Sequence, residues 1–338
     1  MTLDHFGRPI SNYLYQCFGF FSAAEGFFFL SGFVGALAAF SKGQKDPSQS
    51  WMRARALKIW KYHIVTLLVL SLAAWGVLHS ISIFFTSVIE HPITGSLLSI
   101  VLINTPDYLD VLPLYVIFLL AASWLFPLMI RNKKTTFKCW LISLFIWAAA
   151  QFGLRHVLNG TLPGWVHHGF FDPLAWQFIY MTGAAIAICW KRNSTEGDTG
   201  IFTRQFFARF DRFMPTIAGM LLFFFLWHHQ FIAISIPDNF WIGKANVGIL
   251  RFANFMGFVA LVSWIVRHFP SALDFRITNV IGRHSLDVFS VHIVLVYLWL
   301  ATPNSIRYHA PWNLIAPIAA CVLLWAIAKL REPKPPRC

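Results

Sequence analysis

Charged side chains are scarce: Asp, Glu, Lys and Arg make up 12% of the 338 residues, where a soluble domain carries about 25%. So little charge cannot cover a water-exposed surface of this size, so much of the surface must face lipid. Cysteine is sparse too. Cys17, Cys139, Cys189, Cys321 and Cys338 form no CxxC pair and no metal-ligand spacing, so neither a disulfide framework nor a metal site is expected. Four of them fall in or beside apolar runs and read as small core residues. No polar linker divides the chain, no internal repeat is visible, and no signal peptide precedes the first apolar run. Residues 1–338 therefore read as a single membrane-embedded domain.

What is present is apolar and aromatic. Hydrophobic residues make up 57%, with 35 Phe and 15 Trp, and aromatics gather where a helix meets the headgroups. Crossing the hydrocarbon takes about 20 mostly apolar residues at about 1.5 Å rise each. About nine stretches qualify, at 18–40, 57–79, 111–130, 139–155, 172–190, 214–236, 248–267, 285–301 and 312–330. The expected fold class is all-α, a polytopic integral membrane helical bundle. Segment 80–104 is apolar but broken by Glu90, His91, Pro92 and Gly95, and reads as a partly interfacial outer loop or a re-entrant piece.

The net charge of +13 would suit a nucleic-acid binder, but its placement argues otherwise. Lys42, Lys45, Arg53, Arg55, Lys58, Lys61, the cluster at 131–138, the loop from Lys191 to Arg212, Arg267, Arg276, Arg283 and the tail from Lys329 to Arg337 fall in alternate connections. Only Arg8, Arg155, Lys244, Arg251 and Arg307 of the 27 basic residues fall on the other side. Basic loops stay in the cytoplasm during insertion, so the charge is a topology signal and no nucleic acid is expected. It puts the C-terminus in the cytoplasm and the N-terminus outside, in a multi-pass membrane protein. Histidine is distributed the opposite way: His5, His79, His91, His156, His167, His168, His228, His229 and His309 lie toward the outer face. An odd number of spans leaves Met1 to His5 to be exported with nothing to start the process, and the simplest account is a preceding helix absent from this chain.

Polar residues inside apolar runs are costly and often functional. Glu25 lies in Phe20-Phe21-Ser22-Ala23-Ala24-Glu25-Gly26-Phe27, about two turns below the outer boundary; it is either functional or a packing carboxylate bonded to an Arg or His of another helix. Ser31, Gly32 and Gly35 have helix-contact spacing. Asp287 and His292 lie about 140° apart around one helix, so they do not form a dyad with each other. His292 either lines a cavity or is a satisfied interior histidine. His228 and His229 point about 100° apart, which argues against a metal site made by the pair. Arg251, with Lys244 before it and Asn254 after, suits bidentate binding of a carboxylate or snorkels to headgroups. Arg53, Arg55, Lys58 and Lys61 mark topology or meet phosphates from the inside.

Phe18-Gly19-Phe20, Ala23-Ala24-Glu25-Gly26-Phe27 and Phe29-Leu30-Ser31-Gly32 resemble the opening pattern of the OpgC family, succinyltransferases of osmoregulated periplasmic glucans related to the membrane acyltransferase-3 proteins. Asp110-Val111-Leu112-Pro113-Leu114-Tyr115, Phe171 to Gln177, Ile281 to Ser285 and Val288-Phe289 through His292 carry the resemblance along the chain. It implies a fold of about ten helices that moves an acyl group, succinyl above all, from cytosolic acyl-CoA to hydroxyls of a periplasmic glucan or other glycan. No bound cofactor is implied. In that pattern the first helix ends with an Asp-His pair, which Asp4-His5 resemble, while the beginning of that helix is absent. The resemblance then implies His5 as the base, with Asp4 or Glu25 orienting it. Asp110, Tyr115, Trp176, Gln177, Arg251 and His292 fall to the acceptor and acyl group, and Arg53, Arg55 and Arg283 to the phosphates of acyl-CoA. Histidine's ordinary pKa of about 6.5 suits general-base work near neutrality. Two other readings remain: a proton-coupled secondary transporter, which predicts an internal repeat and helices broken at mid-membrane, and an inactive membrane scaffold.

Overall fold

Within a bilayer every backbone polar group must be satisfied inside its own segment, and the apolar runs accordingly fold as helices. A computed structural model describes residues 2–7, 9–43, 46, 48–196 and 204–332, with the side chains of 194–196, 204, 238 and 239 left aside. Arg8, Lys45, Lys334, Arg337 and Cys338 lie outside the described residues. After a short helix α1 (Thr2–His5) come α2 (Ala23–Lys42), α3 (Ser50–Gly76), α4 (Val111–Arg131), α5 (Lys133–Gln151), α6 (Pro173–Glu196), α7 (Arg204–His228), α8 (Ile249–His268), α9 (Arg276–Arg283), α10 (Ser285–Ala301) and α11 (Trp312–Leu330). The described residues contain no strand, only an isolated bridge between Thr105 and His168.

Seven helices, α2, α3, α4, α6, α7, α8 and α11, are long and apolar enough to cross a membrane. Two further pairs qualify if each bent pair is one span: His79–Ile89 with Pro92–Ile100, bent by 85°, and α9 with α10, bent by 89°. The protein is therefore a multi-pass helical bundle with seven to nine candidate spans. The membership of that set differs from expectation. Segment 80–104, expected as an interfacial loop or re-entrant piece, supplies a bent helical pair. The stretch 139–155 instead forms the helix α5, whose lysines and polar residues keep it out of the set.

Local sequence explains the shifted boundaries. The first long helix begins at Ala23 rather than at 18, because Gln16 (φ 56°) and Gly19 (φ 123°) hold the preceding chain out of helical conformation. A Cβ on Gly19 would also stand 2.3 Å from Asn254 Oδ1. Ser22 then starts α2 with a reciprocal capping box closed by Glu25. Asn132 caps α5 early by accepting from Thr135 N–H at 2.7 Å. Gln230, with φ of 62°, follows soon after the end of α7 at His228, eight residues short of the expected end.

Without a hydrophobic drive between lipid-facing helices, association rests on close packing and hydrogen bonds. Helices α2 and α6 meet backbone to backbone. A Cβ on Gly32 would stand 2.0 Å from Tyr180 O, and one on Gly183 would stand 2.2 Å from Phe29 O. Ring contacts Phe28–Trp176 and Phe33–Trp190 show that the two helices run the same way, and Phe27–Tyr115 and Phe28–Phe118 align α4 with them. The bundle thus has two unlike ends. At one end, where these helices finish, Lys42 lies over Trp51, Arg53 over Trp124, and the Arg192 guanidinium donates to Met129 O and Ile130 O. At the other, where they begin, Asp4, His5 and Asp110 line a cavity.

Candidate active site

The cavity has a volume of about 380 Å³, within the range of small-ligand sites. Asp4, His5, Asp107, Asp110, Lys244, Tyr15 and Tyr108 supply its polar lining, Phe84, Phe170, Phe171 and Phe289 its aromatic walls, and Ala24, Val111 and Ile293 part of its remaining surface.

Helix α1 is too short to hold its place alone; tertiary contacts fix it. Phe6 is buried against Trp299, whose indole N–H donates to Phe6 O at 2.7 Å. This places the His5 imidazole beside α10, with Nδ1 at 3.1 Å from His292 Nε2 and the rings stacked. The edge of Tyr108 covers another side of the ring. Burial, then the neighbouring His292, depresses the His5 pKa to about 3, so the imidazole is neutral at pH 7. Burial also raises Asp4 above the usual carboxylate range, against the pull of Lys244.

Asp110 stands at the start of α4, and its Oδ2 accepts Phe170 N–H at 2.8 Å. Arg155 holds the same loop, donating to His168 O and Gly169 O at 2.6 Å each. Gly169 is needed there: its φ is +69° and a Cβ would stand 2.7 Å from Asp110 Cβ. These bonds fix the aromatic wall Phe170-Phe171. Burial raises Asp110 to about 6, partly offset by its backbone hydrogen bonds.

Several residues expected at the site lie elsewhere. Glu25 is fully buried, within the first turn of α2 rather than two turns into a span, and it does not line the cavity. Its Oε1 accepts Arg251 Nε–H at 2.5 Å and its Oε2 accepts Ser22 N–H at 2.9 Å and Ser22 Oγ–H at 2.8 Å. Neither Glu25 nor Arg251, committed to each other, meets His5; the group that does is His292. Trp176 is fully buried and donates to Ala245 O at 3.0 Å, and Gln177 exchanges hydrogen bonds with Ser143. Tyr115 packs on Phe27. These three build the wall behind the cavity instead of lining it. Arg53, Arg55 and Arg283 do not line it either, and Arg283 pairs with Glu332 at 2.7 Å. Phe289 and Ile293 of α10 line the cavity.

Lining groups to which sequence reading assigned no role at the site include Lys244, Tyr15, Tyr108 and Asp107. The Ser22-x-x-Glu25 spacing is a capping box and could have placed Glu25 correctly; nothing local marks Lys244. Among the described residues no three His, Cys, Asp or Glu side chains group as a metal site.

A family model for the OpgC protein matches residues 1–334, which is nearly the whole chain and includes every cavity residue. The chain belongs to the OpgC family. No curated protein and no solved structure matches it. Membership implies that this OpgC-family chain is a membrane-embedded transferase.

Proposed function

We propose that the chain is an O-acyltransferase that moves an acyl group from a cytosolic acyl-CoA, succinyl-CoA above all, to a hydroxyl of a periplasmic glucan or related glycan. The observation that carries this reading is the neutral His5 imidazole, oriented by a second histidine, in an aromatic-walled cavity of an OpgC-family protein. The basic end of the bundle faces the cytoplasm by the positive-inside rule, so the cavity opens outward to the acceptor.

When His5 Nδ1–H donates to His292 Nε2, the lone pair of His5 Nε2 is free on the cavity side. That nitrogen takes the proton of the sugar hydroxyl as its oxygen attacks the thioester carbonyl. The tetrahedral intermediate collapses, the carbon–sulfur bond breaks, and the departing thiolate takes the proton from the imidazolium to leave as a thiol. The carboxylates Asp4, Asp107 and Asp110 and the aromatic walls suit hydroxyls and sugar-ring faces.

The test replaces His5 by Ala and measures acyl groups on the exported glucan in a strain deleted for the native enzyme. The reading requires their loss with the protein still in the membrane; full glucan substitution refutes it. The two bent helical pairs invite comparison with transporters. However, α10 continues for 17 residues beyond its bend, so that break lies at the end of the span rather than at its middle, where transporter sites form.

A further inference from the structure

Lys244 is held in the cavity by a loop that has little freedom. Its carbonyl and that of Ala245 receive the Trp176 indole N–H at 3.2 and 3.0 Å, and Ala245 O also accepts Asp172 N–H at 2.9 Å. Asn246 O accepts from Gln151 at 2.6 Å, and Val247 O from the Trp147 indole at 2.9 Å. Four separate side-chain and backbone donors thus clamp residues 244–247, which explains why Trp147, Gln151 and Trp176 are turned inward.

The clamp carries a cation. The ammonium of Lys244 lies 4.8 Å from the ring centre of Tyr15 and 5.9 Å from those of Phe170 and Phe171. No carboxylate among the described residues reaches salt-bridge distance of it; Glu25, Asp4 and Asp110 act on it only from farther away. Glu25 is spent on Arg251, and Asp110 on the Phe170 amide. A half-buried ammonium without a close counter-ion is poorly compensated, and here it faces an empty space that also contains His5, near enough for its charge to act on that ring. Arg251, the residue whose chemistry suggested a carboxylate receptor, is sealed away.

We propose that the Lys244 ammonium receives a free carboxylate at the far end of the transferred acyl group, so that the cavity selects a dicarboxylic monoacyl donor over a neutral one of equal length. This rests on the acyl-transfer reading and adds the residue that sets its acyl specificity. The aromatic rings around the ammonium exclude water and strengthen the pairing, while the methylenes of the acyl chain lie along Phe170 and Phe171 with the thioester toward His5.

The experiment has two arms on the detergent-solubilised full chain. In the binding arm, monomethyl succinate and its neutral counterpart methyl butyrate are compared by thermal shift on wild type, Lys244→Met and Lys244→Arg. The expected result is stabilisation of wild type and Lys244→Arg by monomethyl succinate only, with affinity falling about tenfold or more in Lys244→Met, as for loss of a charge-assisted bond. Equal response of wild type and Lys244→Met overturns the proposal. In the transfer arm, Lys244→Met should lose about tenfold or more of succinyl transfer and keep butyryl transfer. Equal loss of both acyl groups overturns it and assigns the ammonium to the developing oxyanion. A Lys244-dependent response to monomethyl succinate in a protein that transfers nothing refutes the acyl-transfer reading and leaves the carboxylate site in place.

Discussion

Replacing Glu25 by Gln separates a structural carboxylate from a catalytic one. The side chain is fully buried and accepts three hydrogen bonds, two from Ser22 and one from Arg251. Gln can keep the Ser22 contacts through its carbonyl oxygen, but it removes the only carboxylate that the Arg251 guanidinium meets among the described residues. Its Nη1 also donates to Ile242 O at 3.3 Å, and its Nη2 has no hydrogen-bond partner among the described residues. Stranding a buried charge costs about 3–5 kcal/mol. At about 2 °C per kcal/mol for a chain of this size, the melting temperature should fall by roughly 5–10 °C. The measurement is fluorescence-detected size exclusion after graded heating in detergent. The double variant Glu25→Gln/Arg251→Met, which removes the stranded charge, should regain most of the loss. Because Glu25 does not line the cavity, acyl transfer per folded molecule should persist. A variant that melts like wild type shows that the pair contributes nothing; one that folds normally but transfers nothing places Glu25 in the chemistry.

Three further outcomes follow from the same geometry. Converting His292 to Ala should lower the turnover rate about 10–100-fold at unchanged KM for the acceptor, since it removes the group that sets the His5 tautomer; His292→Gln, whose carbonyl can accept the same proton, should rescue part of it. Wild type should keep its rate from pH 7.5 to below 6, because His5 titrates well under the usual histidine range, and a fall centred near 6.5 would contradict this. For Asp110 the folded pKa of about 6 exceeds the ordinary aspartate value of 3.8, so the folded state holds the proton between those values and the ionised form destabilises the fold above pH 6. Asp110→Asn should therefore stabilise the protein by on the order of 1–3 kcal/mol at pH 7.5. That gain should vanish as pH falls to about 4, and thermal melts across that range refute the argument if the variant is less stable at pH 7.5.

The chain itself determined a great deal that depends only on local composition. Long apolar runs and the shortage of charge required a helical membrane bundle, because lipid offers the backbone no other partner. The alternation of basic loops predicted two unlike ends, and Arg53 and Arg192 lie at the end of α2, α4 and α6 opposite the cavity. Asp4, His5 and Asp110 stood out by type and position, and all three line the cavity. Tertiary structure decided the partnerships. His5 and His292 are 287 residues apart, and Glu25 and Arg251 are 226 apart; no periodicity encodes such pairs, because a helix specifies which residues share a face but not which helix that face meets. Packing also decided which polar residues reach the empty space. Arg251 was drawn to Glu25 and Trp176 to the backbone of the 244–247 loop, which left the ammonium of Lys244, an unremarkable lysine in the sequence, as the positive charge inside the cavity.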